Sequence, residues 1–327
     1  MTVTTPHGTR SVVIASQLDP AVNELLRAHP SQPRVVAIPD ERPWEAAKEA
    51  DAEVLLVRPA PAWRYHGYAA APAGWPGRVR WVFSGTTGVD FYPRWLVGGG
   101  TPLTCARGVA SGEIAEYVIA AILAQTKNLD TIRVRSRADW KPTTLGRLLE
   151  STVGIVGLGS IGSAVAVRAL ALGARVIAVR NRRIPSPVRG VELLDSVVDL
   201  VERADHIVLA LPATEDTYAL FDGKLLSSVK EGAHLVNVAR GTVIDQTALM
   251  NTLEEGPLAY ATLDVTEPEP LPEGHPLYSH EQVRLTPHVA SLHPHLHRTL
   301  YEKIAENLDR YLRGEPLVDQ VDPSLGY

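Results

Sequence analysis

A chain of 327 residues is long enough for about two domains, at roughly 150 residues each. Its 45% hydrophobic and 21% charged residues are those of a globular protein with a large core, and a net charge of −5 excludes a general nucleic-acid binder. One cysteine, Cys105, excludes a disulfide scaffold or a Cys-rich zinc site, and no apolar window of about 18 residues is free of charge, which excludes a helical membrane span. The first residues, Met1–His7, have no basic stretch followed by an apolar one, so a cytoplasmic location is expected.

Short apolar runs predict strands over Ser11–Ser16, Arg34–Ile38, Val54–Val57 and Trp81–Phe83, with helices over Pro20–Ala28 and Trp44–Ala50. That alternation predicts βαβ units and a parallel sheet. Arg58–Pro76 breaks the pattern: Pro59, Pro61, Pro72 and Pro76, interleaved with Trp63, Tyr65, Tyr68 and Trp75, predict a loop-rich segment at a sheet edge. Gly112–Asn128 reads as a long helix, with Ile114, Val118, Ile119 and Ile122 at helical spacing and Glu113 in its first turn.

A second alternating region predicts strands over Thr152–Val156, Arg175–Val179, His206–Leu209, His234–Val238, Ala259–Asp264 and Val283–Leu285. Most are continuous apolar runs, as strands buried on both faces require. The last helix, near His295–Leu312, carries the apolar set Leu296, Leu300, Ile304, Leu308 and Leu312.

The strongest local signal is Gly157-Leu158-Gly159-Ser160-Ile161-Gly162, a Gly-x-Gly-x-x-Gly that leaves a predicted strand and opens a helix. In a dinucleotide site Gly157 makes the tight turn, Gly159 admits the pyrophosphate, and Gly162 lets helix and strand pack closely. Eighteen residues after Gly162, where an acid would hold the ribose 2′-hydroxyl of NAD, stands Arg180, followed by Asn181, Arg182 and Arg183. Arginines there suit a 2′-phosphate by charge and by bidentate geometry, so NADP(H) is favoured and NAD(H) remains an option.

Three polar clusters follow later predicted strands: Asn237–Gly241, Leu263–Pro270 and Thr286–Ala290. Together with the glycine motif, Ala115-Glu116, Pro212, Thr217 and the ending Asn307–Pro316, their order resembles the D-isomer-specific 2-hydroxyacid dehydrogenase family over nearly the whole chain. The glyoxylate/hydroxypyruvate reductases are the most similar members. The resemblance implies an α/β fold of two Rossmann-like domains with parallel sheets. A substrate domain (1–110 and 292–327) would hold the inserted dinucleotide domain (111–291), with the active site in the cleft that hinge closure shuts.

It also implies the site residues. Arg240, Glu269 and His288 take the catalytic roles, and Pro212, Thr217, Val238, Ala239 and Asp264 join the glycine turn around the cofactor. Chemistry supports each catalytic role. A 2-keto acid needs a cation for its carboxylate, a fork that Arg240 offers. The carbonyl oxygen needs a proton, which His288 can give with Glu269 orienting its ring. Ser84–Asp90, with Thr87 and Gly88, resembles the loop whose N–H groups receive the substrate carboxylate. Arg58 is either a second substrate cation or a surface arginine. Trp140, in Asp139–Pro142, either reaches a partner subunit's site or packs between domains. His293, His295 and His297 read as a polar helix start rather than a metal site.

The function expected is NADPH-dependent reduction of a small 2-keto acid by a homodimer, with no membrane or nucleic-acid partner. The alternatives are a dehydrogenase for a different 2-hydroxy acid, or a dinucleotide-sensing corepressor on the same fold. Formate oxidation is disfavoured because that branch has glutamine where Glu269 stands. A phosphoglycerate dehydrogenase with a regulatory domain is disfavoured by the stop at Tyr327.

Overall fold

The structure, a computed structural model, describes residues 11–60, 62–63, 70–181 and 184–327. Tyr65, Tyr68, Pro61, Arg182 and Arg183 lie outside the described residues. The chain divides into two compact units, one of Met1–Val109 with His293–Tyr327 and one of Ala110–Leu292. The α/β class with two parallel sheets holds.

In the first unit, β1 (Val13–Ser16), β2 (Arg34–Ala37), β3 (Val54–Val57), β4 (Trp81–Ser84) and β5 (Leu103–Cys105) form one parallel sheet in the order β2-β1-β3-β4-β5. Helices among its described residues include α1 (Pro20–Arg27), α2 (Pro43–Glu49) and α3 (Arg94–Val97). Proline at the first turn starts α1 and α2, where the missing N–H costs nothing. Asp19 caps α1 by accepting from the Ala21 N–H. Strand β5 escapes the sequence reading because it is only three residues long, with a threonine at its centre.

The segment expected at a sheet edge joins two strands that are not edge strands, and only residues 58–60, 62–63 and 70–76 of it are described. It crosses over between the neighbouring strands β3 and β4. Trp63 is fully buried and meets Trp44, Tyr92 and Trp95 edge-on or tilted, while Trp75 packs on Trp95 at 4.9 Å. Trp63 and Trp75, the described aromatics of this segment, thus pack into the core of the first unit.

The second unit begins with α4 (Ser111–Thr126) and carries a seven-stranded parallel sheet. Its strands are β6 (Thr152–Val156), β7 (Arg175–Val179), β8 (Val191–Leu193), β9 (His206–Leu209), β10 (Ala233–Asn237), β11 (Leu258–Leu263) and β12 (Val283–Leu285). The order is β12-β11-β10-β9-β6-β7-β8. Chain direction across the sheet therefore reverses between β6 and β9, and in such a sheet ligands bind at the carboxyl ends beside that switch.

Between the strands run α5 (Ser160–Ala171), α6 (Val197–Arg203), α7 (Gly223–Ser227) and α8 (Gln246–Glu255). Ser196, Asp222 and Asp245 cap α6, α7 and α8 through their side-chain oxygens. One core, including Ala115, Val118, Ile122, Val165 and Val176, fills one side of the sheet, and another, including Leu200, Phe221, Leu226, Leu249 and Leu253, fills the other. Strand β8 was missed because two of its three residues, Glu192 and Leu193, are exposed.

The chain closes with α9 (Leu296–Arg313) in the first unit, ended by Gly314 in the left-handed conformation. Leu300, Ile304 and Leu308 face the core as their spacing predicts, whereas Leu312 in the last turn is 42% exposed. No helix among the described residues is long and apolar enough to cross a membrane.

Candidate active site

The Gly157 turn leaves β6 at the switch point. Gly157 has φ +102°, a conformation L side chains rarely adopt, and a Cβ there would sit 2.5 Å from the Ala210 carbonyl oxygen. A Cβ on Gly162 would lie 2.1 Å from the Gly157 oxygen, so turn and helix touch. Gly159 differs: nothing stands within 4 Å of its Cβ position, and it opens α5 with no side-chain cap. The first N–H groups of a helix have no intrahelical acceptor and carry the positive end of its dipole. Open space above such an uncapped N-terminus fits a pyrophosphate. Leu158 is buried beneath the turn, while Ser160 and Ile161 begin the helix and keep partial exposure.

Arg180 directly follows β7, and its Nη1 donates to the Pro185 carbonyl at 3.2 Å. Asn181 beside it is exposed. After β9, Thr217 Oγ1 donates to the Pro212 carbonyl at 2.8 Å and accepts from the Thr214 N–H at the same distance, which locks that loop.

The Arg240 turn after β10 is held by Asn237, a buried side chain the sequence reading passed over. Its amide donates to the Arg240 carbonyl at 2.9 Å, and its oxygen accepts from the Ala239 N–H at 3.0 Å. Arg240 itself is half-buried, with extended backbone, and its Nη1 donates to the Ala239 carbonyl at 2.8 Å. Val238, just before, is half-buried too. Gly241 packs against the next loop so closely that a Cβ would fall 2.0 Å from the Thr266 carbonyl carbon. Only glycine permits that approach, which brings the β10 and β11 exits together. The Gln246 side chain adds a second tie, exchanging two hydrogen bonds with the Glu267 backbone.

His288 and Glu269 meet: His288 Nδ1 stands 2.8 Å from Glu269 Oε1. Both side chains are about two-fifths exposed, at 43% and 39%, so a substrate can reach the pair. His288 has φ +54°, and its N–H donates to the carbonyls of Asp264 and Thr286. Asp264 is only 2% exposed and supports this loop from below. Its Oδ1 accepts from Thr286 Oγ1 at 2.6 Å and from the Val289 N–H at 3.0 Å, and its Oδ2 from the Ala290 N–H at 2.9 Å. The contacts of Asp264 are thus with the His288 loop.

Apart from Trp140, the remaining candidates belong to the first unit. The loop after β4 is braced internally: Thr86 Oγ1 donates to the Gly88 carbonyl at 2.9 Å, and Thr87 Oγ1 to the Ala106 carbonyl at 3.1 Å. Arg58, after the adjacent β3, pairs with Asp40 through two bonds of 3.2 and 2.6 Å. That carboxylate raises the Arg58 pKa above its ordinary value. Its charge is already answered, which weakens the case for a free second cation. Trp140 is 77% exposed. His297 lies 3.9 Å from Asp19, and no group of metal-ligating side chains occurs among the described residues.

The chain is similar in sequence and in fold to known dehydrogenases and reductases. Residues 119–290 match the model of the D-isomer specific 2-hydroxyacid dehydrogenase, NAD binding domain. A glyoxylate/hydroxypyruvate reductase A from Serratia proteamaculans is 30% identical over 297 residues, 88% of this chain and 91% of the relative. A glyoxylate reductase from Thermofilum pendens is 35% identical over 226 residues, 66% of each. Among solved structures, a D-isomer specific 2-hydroxyacid dehydrogenase from Xanthobacter autotrophicus Py2, in complex with NADPH and MES, superposes with a TM-score of 0.78 at 28% identity, covering 97% of this chain and 99% of that one. The chain belongs to the D-isomer-specific 2-hydroxyacid dehydrogenase family.

Proposed function

We propose that this protein reduces a small 2-keto acid, of the glyoxylate or hydroxypyruvate kind, to the 2-hydroxy acid at the expense of NADPH. The observation that carries the reading is the 2.8 Å His288–Glu269 pair, exposed at the carboxyl ends of strands in the same sheet as the Gly157 turn. When bound, the dinucleotide supplies the hydride that reduces the carbonyl carbon. Arg240 holds the substrate carboxylate and polarises the carbonyl. His288, protonated, gives its Nε2 proton to the oxygen as negative charge develops there. Glu269 accepts from Nδ1, which fixes the ring with Nε2 turned toward the substrate. On this reading the first unit, with Thr87 and Gly88 in the loop after β4, is the substrate domain.

The reductase relatives support the substrate class, and the NADPH in the Xanthobacter structure supports the cofactor. Within this chain, Arg180 supports it independently. A hydrogen bond to a charged group contributes about 1.5–3 kcal/mol, so one good contact to a 2′-phosphate gives a preference for NADPH of roughly ten- to a hundredfold in kcat/KM. Assays of a 2-keto acid panel with NADPH and NADH test both halves. Arg180→Asp should erase the preference, and a wild type that works as well with NADH returns Arg180 to a solvated loop.

The stretch after α4 exposes Leu129, Val134, Trp140 and Leu149 at 53%, 43%, 77% and 49%. Apolar surface of that kind is commonly covered by a partner, which supports a homodimer, and sedimentation of wild type and Trp140→Ala tests it.

A further inference from the structure

Tyr117 lies on α4, outside every motif that marks the site. Its hydroxyl stands 2.6 Å from Thr286 Oγ1, which stands 2.6 Å from Asp264 Oδ1. The protons in this chain can be placed by elimination. Asp264 as a carboxylate only accepts, and it already receives the Val289 and Ala290 N–H groups. The single hydroxyl proton of Thr286 must therefore point at Asp264. Thr286 then has only lone pairs to offer, so the phenol of Tyr117 donates to it. The order runs Tyr117 to Thr286 to Asp264, and every donor finds an acceptor.

We propose that Tyr117 and Thr286 are positioning residues for His288, forming a directed hydroxyl chain that ties the loop after β12 to helix α4. The inference rests on the catalytic reading of His288. Asp264 grips the loop on both sides of His288: Thr286 two residues before, Val289 and Ala290 just after. Between those grips His288 holds a positive φ, a conformation that costs energy for a non-glycine residue and persists only when its surroundings enforce it. The ring is thereby presented to Glu269 at 2.8 Å. Without Thr286 one grip is lost; without Tyr117 the Thr286 hydroxyl is freer to turn away. The phenol is suited to a constant donor role, because burial, with the Asp264 charge adding to it, raises its pKa above that of an ordinary tyrosine. It stays protonated wherever the reaction runs.

Four variants and one spectrum test the chain. Thr286→Val removes the middle link at nearly constant volume, and small misplacements of a catalytic group can cost up to about 100-fold, so kcat should fall roughly 10- to 100-fold. Tyr117→Phe removes only the outer donor and should lower kcat about 3- to 10-fold. In both, NADPH binding, read by its fluorescence, should stay within about twofold, because the chain supports the loop after β12 and not the glycine turn. Thr286→Ser keeps the hydroxyl and should restore kcat to within about threefold of wild type. The double variant Tyr117→Phe/Thr286→Val should be no slower than Thr286→Val alone, since residues acting as one unit are not additive.

The imidazole signals of ¹⁵N-histidine protein give a readout that needs no turnover. The His288 signals should broaden or shift in Tyr117→Phe and Thr286→Val, while those of His206 and His234 stay put. Unchanged His288 signals in both variants, wild-type kcat in both, or a Thr286→Ser as slow as Thr286→Val would overturn the proposal. A wild type inactive on every 2-keto acid removes the reductase reading instead, and the histidine spectrum then decides the hydroxyl chain alone.

Discussion

His288 and Glu269 are hydrogen-bonded with 43% and 39% side-chain exposure, and exposed pairs of this kind contribute less than about 1 kcal/mol to stability. Their 2.8 Å contact must therefore be explained by orientation rather than by folding energy. Stability and activity should accordingly separate in a variant. His288→Asn removes the proton donor and should lower kcat by roughly 10²- to 10⁴-fold, while the urea midpoint moves little. NADPH binding should persist, because the Gly157 turn lies at a different strand exit. Turnover within about threefold of wild type would show that another group protonates the carbonyl.

Elements explain which parts of the molecule were legible in the sequence. Strands β6, β7, β9 and β10 announce themselves because burial on both faces demands unbroken apolar runs, and their ends fall within a residue of the expected ones. The glycine turn is legible because backbone contact at Gly157 and Gly162 leaves no alternative residue. Tyr117 and Gln246 give no sequence signal, because each acts through a hydrogen-bonding partner distant in the chain, and Asn237, though inside a marked cluster, has a turn-holding role that only its bonds to Ala239 and Arg240 reveal. The burial of Trp63 after β3 is hidden for a related reason, since prolines are a local signal and the packing of a ring is not.

The same turn yields a paired prediction. Gly159→Ala meets nothing within 4 Å, so the fold should keep its thermal midpoint while the methyl obstructs the pyrophosphate. Gly162→Ala drives a methyl to 2.1 Å from the Gly157 oxygen and should also cost about 1–3 kcal/mol of stability. Isothermal titration with NADPH should show both variants binding at least about tenfold more weakly. A Gly159→Ala protein that binds NADPH like wild type sinks the dinucleotide assignment of this turn.

At the scale of the whole molecule, two histidines set how the protein meets acid. His206 opens β9 and His234 lies on the neighbouring β10, their rings 5.6 Å apart. Burial pushes the His206 pKa down to about 4, although the Asp205 charge opposes it. Burial also holds His234 well below the ordinary value, with His206 and Arg284 pushing the same way. The groups around them do not offset this. Asp205 is committed to Lys230 and Arg284 to Asp130, while Thr126 and Thr262 contribute only neutral hydroxyls. Both rings thus stay neutral in the folded protein while the unfolded chain takes up protons below about pH 6.5. The unfolded state then binds more protons, so stability is complete above that pH and is lost as pH falls toward 4. Each histidine contributes a slope of up to about 1.4 kcal/mol per pH unit, so the pair gives roughly 3. Urea unfolding between pH 7 and 4.5 measures that slope directly. His206→Gln/His234→Gln, which cannot titrate but keeps an amide toward Thr262, should flatten it even if the variant is less stable at pH 7. An unchanged slope in the double variant would place the acid sensitivity of this protein elsewhere.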